Sequence, residues 1–106
     1  MRAKLFKRAQ QQLIDIWLYT EEKWNSAQAD KYIDGLNIRL KQITENSHLW
    51  KKVRSKKLAG VFFFRYEKRL VFFKRLPSGD LGIISILHEQ MDLPRRLLDD
   101  INADNS

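Results

Sequence analysis

The stretch "VFFFRYEKRLVFFKRLPSGDLGIISILH", opened by Gly60, constrains the fold more than any other part of the chain. It is rich in aromatic and branched residues of strand type. Turn chemistry interrupts it twice, at Glu67-Lys68-Arg69 and at Pro77-Ser78-Gly79-Asp80. Three antiparallel strands are therefore expected, near Val61 to Tyr66, Leu70 to Leu76 and Leu81 to Leu87. In the first, Val61, Phe63 and Arg65 alternate with Phe62, Phe64 and Tyr66, so both faces carry aromatic side chains. If helices cover one face of a four-stranded sheet, the other holds a second small core under the C-terminal segment, with the remainder left to a partner.

The helices precede the meander. From about Gln10 to Trp24 the apolar positions Leu13, Ile14, Trp17, Leu18 and Trp24 recur at helical spacing. Asn25 or Ser26 can then cap a second helix, with Ala29, Tyr32, Ile33, Leu36, Leu40 and Ile43 on one stripe, ended by "TENSHLW". Only Trp24-Asn25-Ser26 separates the two patterns, so they should fold back as an antiparallel hairpin. "RAKLFK" before them reads as a first strand and "KKVRSKK" after them as a basic loop. Asp92 can cap a final short helix, since Pro94 is tolerated in a first turn. The expected fold class is α+β, in the order β-α-α-β-β-β: an N-terminal strand, an antiparallel helical hairpin packed on a small antiparallel sheet, and a short C-terminal helix. Residues 1–98 would form one domain and 99–106, "DDINADNS", an acidic frayed tail.

With 106 residues the chain supports one modest core. The absence of cysteine excludes disulfides and thiolate metal sites, and two histidines forty residues apart offer no metal-ligand spacing, so no metal or cofactor is expected. Gly79-Asp80-Leu81-Gly82 is a hairpin turn and not a phosphate loop. No run approaches the ~18 apolar residues of a membrane span, and the opening lacks the apolar centre of a secretory signal, which makes the cytoplasm the expected location. The formal charge is +7. Ten of the twenty basic residues lie between Lys51 and Arg75, opposed there only by Glu67, so an acidic partner is expected.

Three stretches, "DIWLYTEEKW" (Asp15 to Trp24), "GVFFFRYEKRLVFFKRL" (Gly60 to Leu76) and "IISILHEQMDLPRRL" (Ile83 to Leu97), make the chain similar to the RelE/ParE superfamily of bacterial toxins, and within it to the ParE branch. The resemblance implies the toxin of a type II toxin–antitoxin pair. Such a toxin holds DNA gyrase in its DNA-cleaved state and is neutralised in a hetero-oligomeric complex by an antitoxin with an acidic C-terminal segment. RelE-like relatives instead cut mRNA on the ribosome. That chemistry needs a general base, a proton donor and cations for the developing phosphorane charge; the acid–base candidates are His88, Glu89, Tyr66 and the lysines of the 51–57 loop, and His88, Lys56 and Arg65 are the set expected if the protein is a nuclease. The RelE-like pattern places a tyrosine close to its C-terminus, whereas nothing aromatic follows Phe73 here. The expected function is therefore gyrase inhibition without catalytic residues, with an endoribonuclease as the alternative.

Two sets of contact residues follow. Arg65, Arg69 and Arg75 on the sheet, His88 at the end of its last strand, and Arg95 and Arg96 beyond it should converge on the target. His88 could equally be a structural hydrogen-bonder, and Met91 and Leu93 packing groups. Trp17, Leu18, Trp24 and Tyr32 on the hairpin either line a groove for the antitoxin or pack within the hairpin.

Overall fold

The computed structural model describes residues 2–90 together with Leu97. The chain runs β1 (Ala3–Leu5), α1 (Lys7–Lys23), α2 (Ser26–Glu45), β2 (Lys51–Lys52), β3 (Val61–Tyr66), β4 (Arg69–Arg75) and β5 (Leu81–His88), with short 3₁₀ turns at Ser47–Leu49 and Lys56–Leu58. All five strands form one sheet in the order β1-β5-β4-β3-β2. Its β2-β3-β4-β5 portion is antiparallel, while β1 lies parallel to β5, with Ala3 opposite Leu81 and Leu5 opposite Ile83. The expected helix at Asp92 to Pro94 and the tail 99–106 fall outside the described residues.

Asn25 sets the hairpin. Its backbone is extended and its side-chain oxygen accepts the Gln28 N–H at 2.8 Å, satisfying one of the amides that a helix start leaves free. At the other end of α1 the chain enters the helix without a loop. The Phe6 N–H still bonds the Ile83 carbonyl of the sheet, while the Phe6 carbonyl already accepts the first helical N–H, from Gln10. The helix therefore begins at Lys7, three residues before the expected start, and buries Ala9 completely. The expected loop at 51–57 also differs. Lys51 and Lys52 pair with Phe63 and Phe62, making the sheet five-stranded. A two-residue edge of exposed lysines blunts the sheet against a further strand.

Strand parity then builds two cores. Phe62, Phe64, Tyr66, Val71 and Phe73 face the helices and pack with Ile16, Leu36, Leu40 and Ile43. Val61, Phe63, Leu70 and Phe72 face the reverse side, where Leu58 and Leu97 join them. Leu97 is buried, so the reverse core does receive a side chain from the C-terminal segment, while Phe63 and Leu70 stay half-exposed.

One side chain joins α1 to the sheet where the ladder is irregular. Phe72 pairs with Ser85 and Phe73 with Ile83, so Ile84 is an extra residue and β5 is bulged. Beyond Ile83 the outer edge of β5 has no further β1 partner, and the Gln12 Oε1 accepts the Ile86 N–H at 2.6 Å. Gln12→Leu should keep the volume and strand that buried amide, lowering stability by about 1–2 kcal/mol. Denaturant titration would check it, and an unchanged midpoint would show that the amide finds another partner. Asp80 ties the β1 edge of the sheet at the start of β5: it accepts the Arg2 N–H at 3.0 Å and lies 3.7 Å from the Lys4 ammonium. The Arg2 hydrogen bond first, and Lys4 after it, hold its carboxyl below the usual aspartate range.

Candidate functional site

At the end of the sheet nearest the hairpin, register lines up Tyr66, Arg69 and His88 across β3, β4 and β5. The row faces the helices. The Tyr66 hydroxyl donates to the Tyr32 carbonyl at 2.8 Å, and the two rings meet edge to face at 5.0 Å. Gly35 permits this approach, because a Cβ there would run into the Tyr66 hydroxyl. Burial raises both phenols above the ordinary tyrosine value. For Tyr32 the charge and hydrogen bond of Arg69 work in the opposite direction. His88 Nδ1 accepts the Gln90 N–H at 3.2 Å, so in the neutral ring Nε2 carries the proton.

Above the row lies a groove of about 1310 Å³ between the hairpin and the sheet end. Its sheet wall is Tyr66, Glu67, Lys68, Arg69 and His88, and its helical wall includes Trp24, Tyr32, Asp30, Lys31 and Asp34. Trp24 is 68 % exposed, the most open of the large apolar side chains in the described residues. Tyr19 and Ile38 line the same groove and are also open, although both stand off the apolar stripes of the two helices.

The hairpin residues proposed for antitoxin contact therefore divide. Trp24 and Tyr32 line the groove. Trp17 instead braces the hairpin, its indole N–H donating to Asp30 Oδ1 at 2.9 Å. Leu18, one helical turn beyond Ile14, is exposed with it on α1.

The proposed target contacts divide as well. Arg69 and His88 meet in the groove. Arg65 shares its register row with Leu70 and Leu87, both in the reverse core, so its side chain emerges on the opposite face. There it pairs with Glu89 at 2.8 Å and donates to the Glu67 carbonyl. Arg75 lies at the far end of β4, six residues and roughly 20 Å from Arg69. Its guanidinium sits 5.0 Å from the centre of the Trp50 ring. Lys56 is exposed on the turn that sends Leu58 into the reverse core. Arg95 and Arg96 are outside the described residues. The structure thus brings Arg69 and His88 together and sets Arg65, Lys56 and Arg75 apart from them.

Charge divides between the hairpin and the rest of the described chain. Residues 7–45, which hold the hairpin, carry six basic and six acidic side chains, whereas residues 46–90 carry ten basic and three acidic. Among the described residues no cluster of three or more histidine, aspartate or glutamate side chains is placed to hold a metal ion, and no helix is long and apolar enough to cross a membrane.

No curated protein matches the chain. Residues 4–93 match the model of a family described as the ParE toxin of the type II toxin–antitoxin system parDE. The matched span takes in the hairpin, strands β2 to β5, the groove between them and nearly all of β1. The chain therefore belongs to the ParE toxin family of type II toxin–antitoxin systems.

Proposed function

We propose that this toxin acts in the cytoplasm on DNA gyrase, holding the enzyme in its DNA-cleaved state, and that a cognate antitoxin with an acidic C-terminal segment silences it in a hetero-oligomeric complex. The observation that carries the reading is the separation of the ribonuclease candidates. His88 belongs to the row facing the helices, while Arg65 and Lys56 serve the reverse face. General acid–base catalysis needs its groups within hydrogen-bond reach of one substrate, directly or through one water. His88, Arg65 and Lys56 are not so placed, and two chemically distinct surfaces suit a toxin that meets two proteins.

The antitoxin segment is assigned to the hairpin groove. Its carboxylates meet Lys68 and Arg69 on the sheet wall, and its apolar side chains meet Trp24 and Tyr32. Purified toxin should inhibit supercoiling by gyrase and accumulate cleaved DNA. Codon-specific cutting of mRNA on ribosomes, with gyrase unaffected, would replace this reading with the ribonuclease one.

A further inference from the structure

We infer that the reverse face of the sheet is the surface with which the toxin grips its target: an apolar pocket inside a cationic rim, shaped for a bulky apolar side chain on an acidic segment of the target protein. The pocket has a volume of about 850 Å³. Phe63, Leu70 and Phe72 form its floor, and Lys51, Lys52 and Arg54 stand at its rim. Phe63 and Leu70 are half-exposed over the buried Phe72, and covering them is favourable because apolar surface leaves water. The rim selects what covers it. None of the described residues lining the pocket is acidic, and the adjoining sequence from 46 to 90 carries the ten-to-three basic excess. An acidic flank is thus attracted and a basic one repelled.

The manner of docking also follows from the fold. Because β2 is a two-residue edge of lysines, the partner is not received as a sixth strand. It docks side chain first, as a helix or turn presenting an anchor. Leu97 lines the same pocket, and Arg95 and Arg96 immediately precede it in sequence. The antitoxin and target surfaces are then opposite faces of one sheet, and the inference rests on the reading of this protein as a toxin with a protein target.

The test reverses the rim charge without touching the core. Lys51→Glu/Lys52→Glu/Arg54→Glu changes three exposed side chains. Lys7→Glu/Arg39→Glu/Lys41→Glu makes the same charge change on the hairpin and serves as the control. The rim variant should lose growth arrest on expression and lose gyrase inhibition, while its melting temperature and its affinity for the antitoxin match the parent. The control should remain toxic. If the rim variant melts below the parent, Arg54→Glu alone, outside any strand, carries the same test. A folded rim variant as toxic as the parent would overturn the inference, as would a loss of antitoxin binding in step with toxicity. A parent that arrests growth while gyrase is unaffected would remove the gyrase reading, and the pocket would then be judged on growth arrest alone. A parent that does neither would overturn both.

Discussion

Phe73→Ala should destabilise the toxin by about 3–5 kcal/mol, the range for deleting a fully buried aromatic side chain. Phe73 has no exposed surface, and three rings surround it. Trp50 meets it edge-on at 5.3 Å, Phe62 stacks on it at 5.8 Å and Phe64 lies at 6.1 Å. Those rings are poorly placed to fill the gap. The Trp50 indole N–H is held by the Ile43 carbonyl at 2.6 Å, and Phe64 is itself buried on a strand paired along its whole length with β4. A domain of this size has only about 5–15 kcal/mol of net stability, so the variant should be folded marginally if at all at 37 °C. Equilibrium unfolding in urea measures the loss. A change below about 1 kcal/mol would mean that the aromatic cluster repacks around the vacancy.

Trp24→Ala should weaken antitoxin binding by about 2 kcal/mol or more, roughly thirty-fold in Kd, with little effect on the toxin's own stability. The asymmetry comes from exposure. With 68 % of its surface open, Trp24 contributes little to the core, and its backbone N–H, which caps α1 through the Thr20 carbonyl, survives the substitution. What is lost is a rigid aromatic surface on the groove wall opposite Lys68 and Arg69. Titration calorimetry with the cognate antitoxin measures the change. Unaltered affinity in a folded variant would place the antitoxin elsewhere.

The sequence made the hairpin and the β3-β4-β5 meander legible because their signals are local: helical periodicity, an Asn at the cap, two turns between alternating apolar runs. The start of α1 was not, since Phe6 is no capping residue and the helix there follows directly from a strand whose partner lies far along the chain. Lys51 and Lys52 read as loop because their strand conformation comes from pairing with β3 and not from their own side chains. For the site, alternation along β3 placed Arg65 and Tyr66 on opposite faces, but joining Tyr66 to Arg69 and His88 needed the register of three strands. Gln12 carried no signal at all: its partner is a backbone amide on the edge of β5 beyond the end of β1, more than seventy positions away. Gly35 did leave a trace, a glycine inside a helical pattern, although nothing in the chain said which ring it admits.

The parallel pairing of the first strand with the last also bears on when the protein becomes dangerous to the cell that makes it. Arg2 and Asp80 are 78 positions apart, yet they sit side by side, and β1 has no other strand to join. Contacts of such long range are slow to form, because the intervening chain must be closed into a loop first. On a translating ribosome β1 must wait unpaired until β5 has left the exit tunnel. A truncated or still-growing chain therefore lacks the completed sheet on which both proposed surfaces are built. Toxicity should appear only after synthesis is nearly finished, which leaves an interval in which antitoxin already present can meet the toxin as it folds.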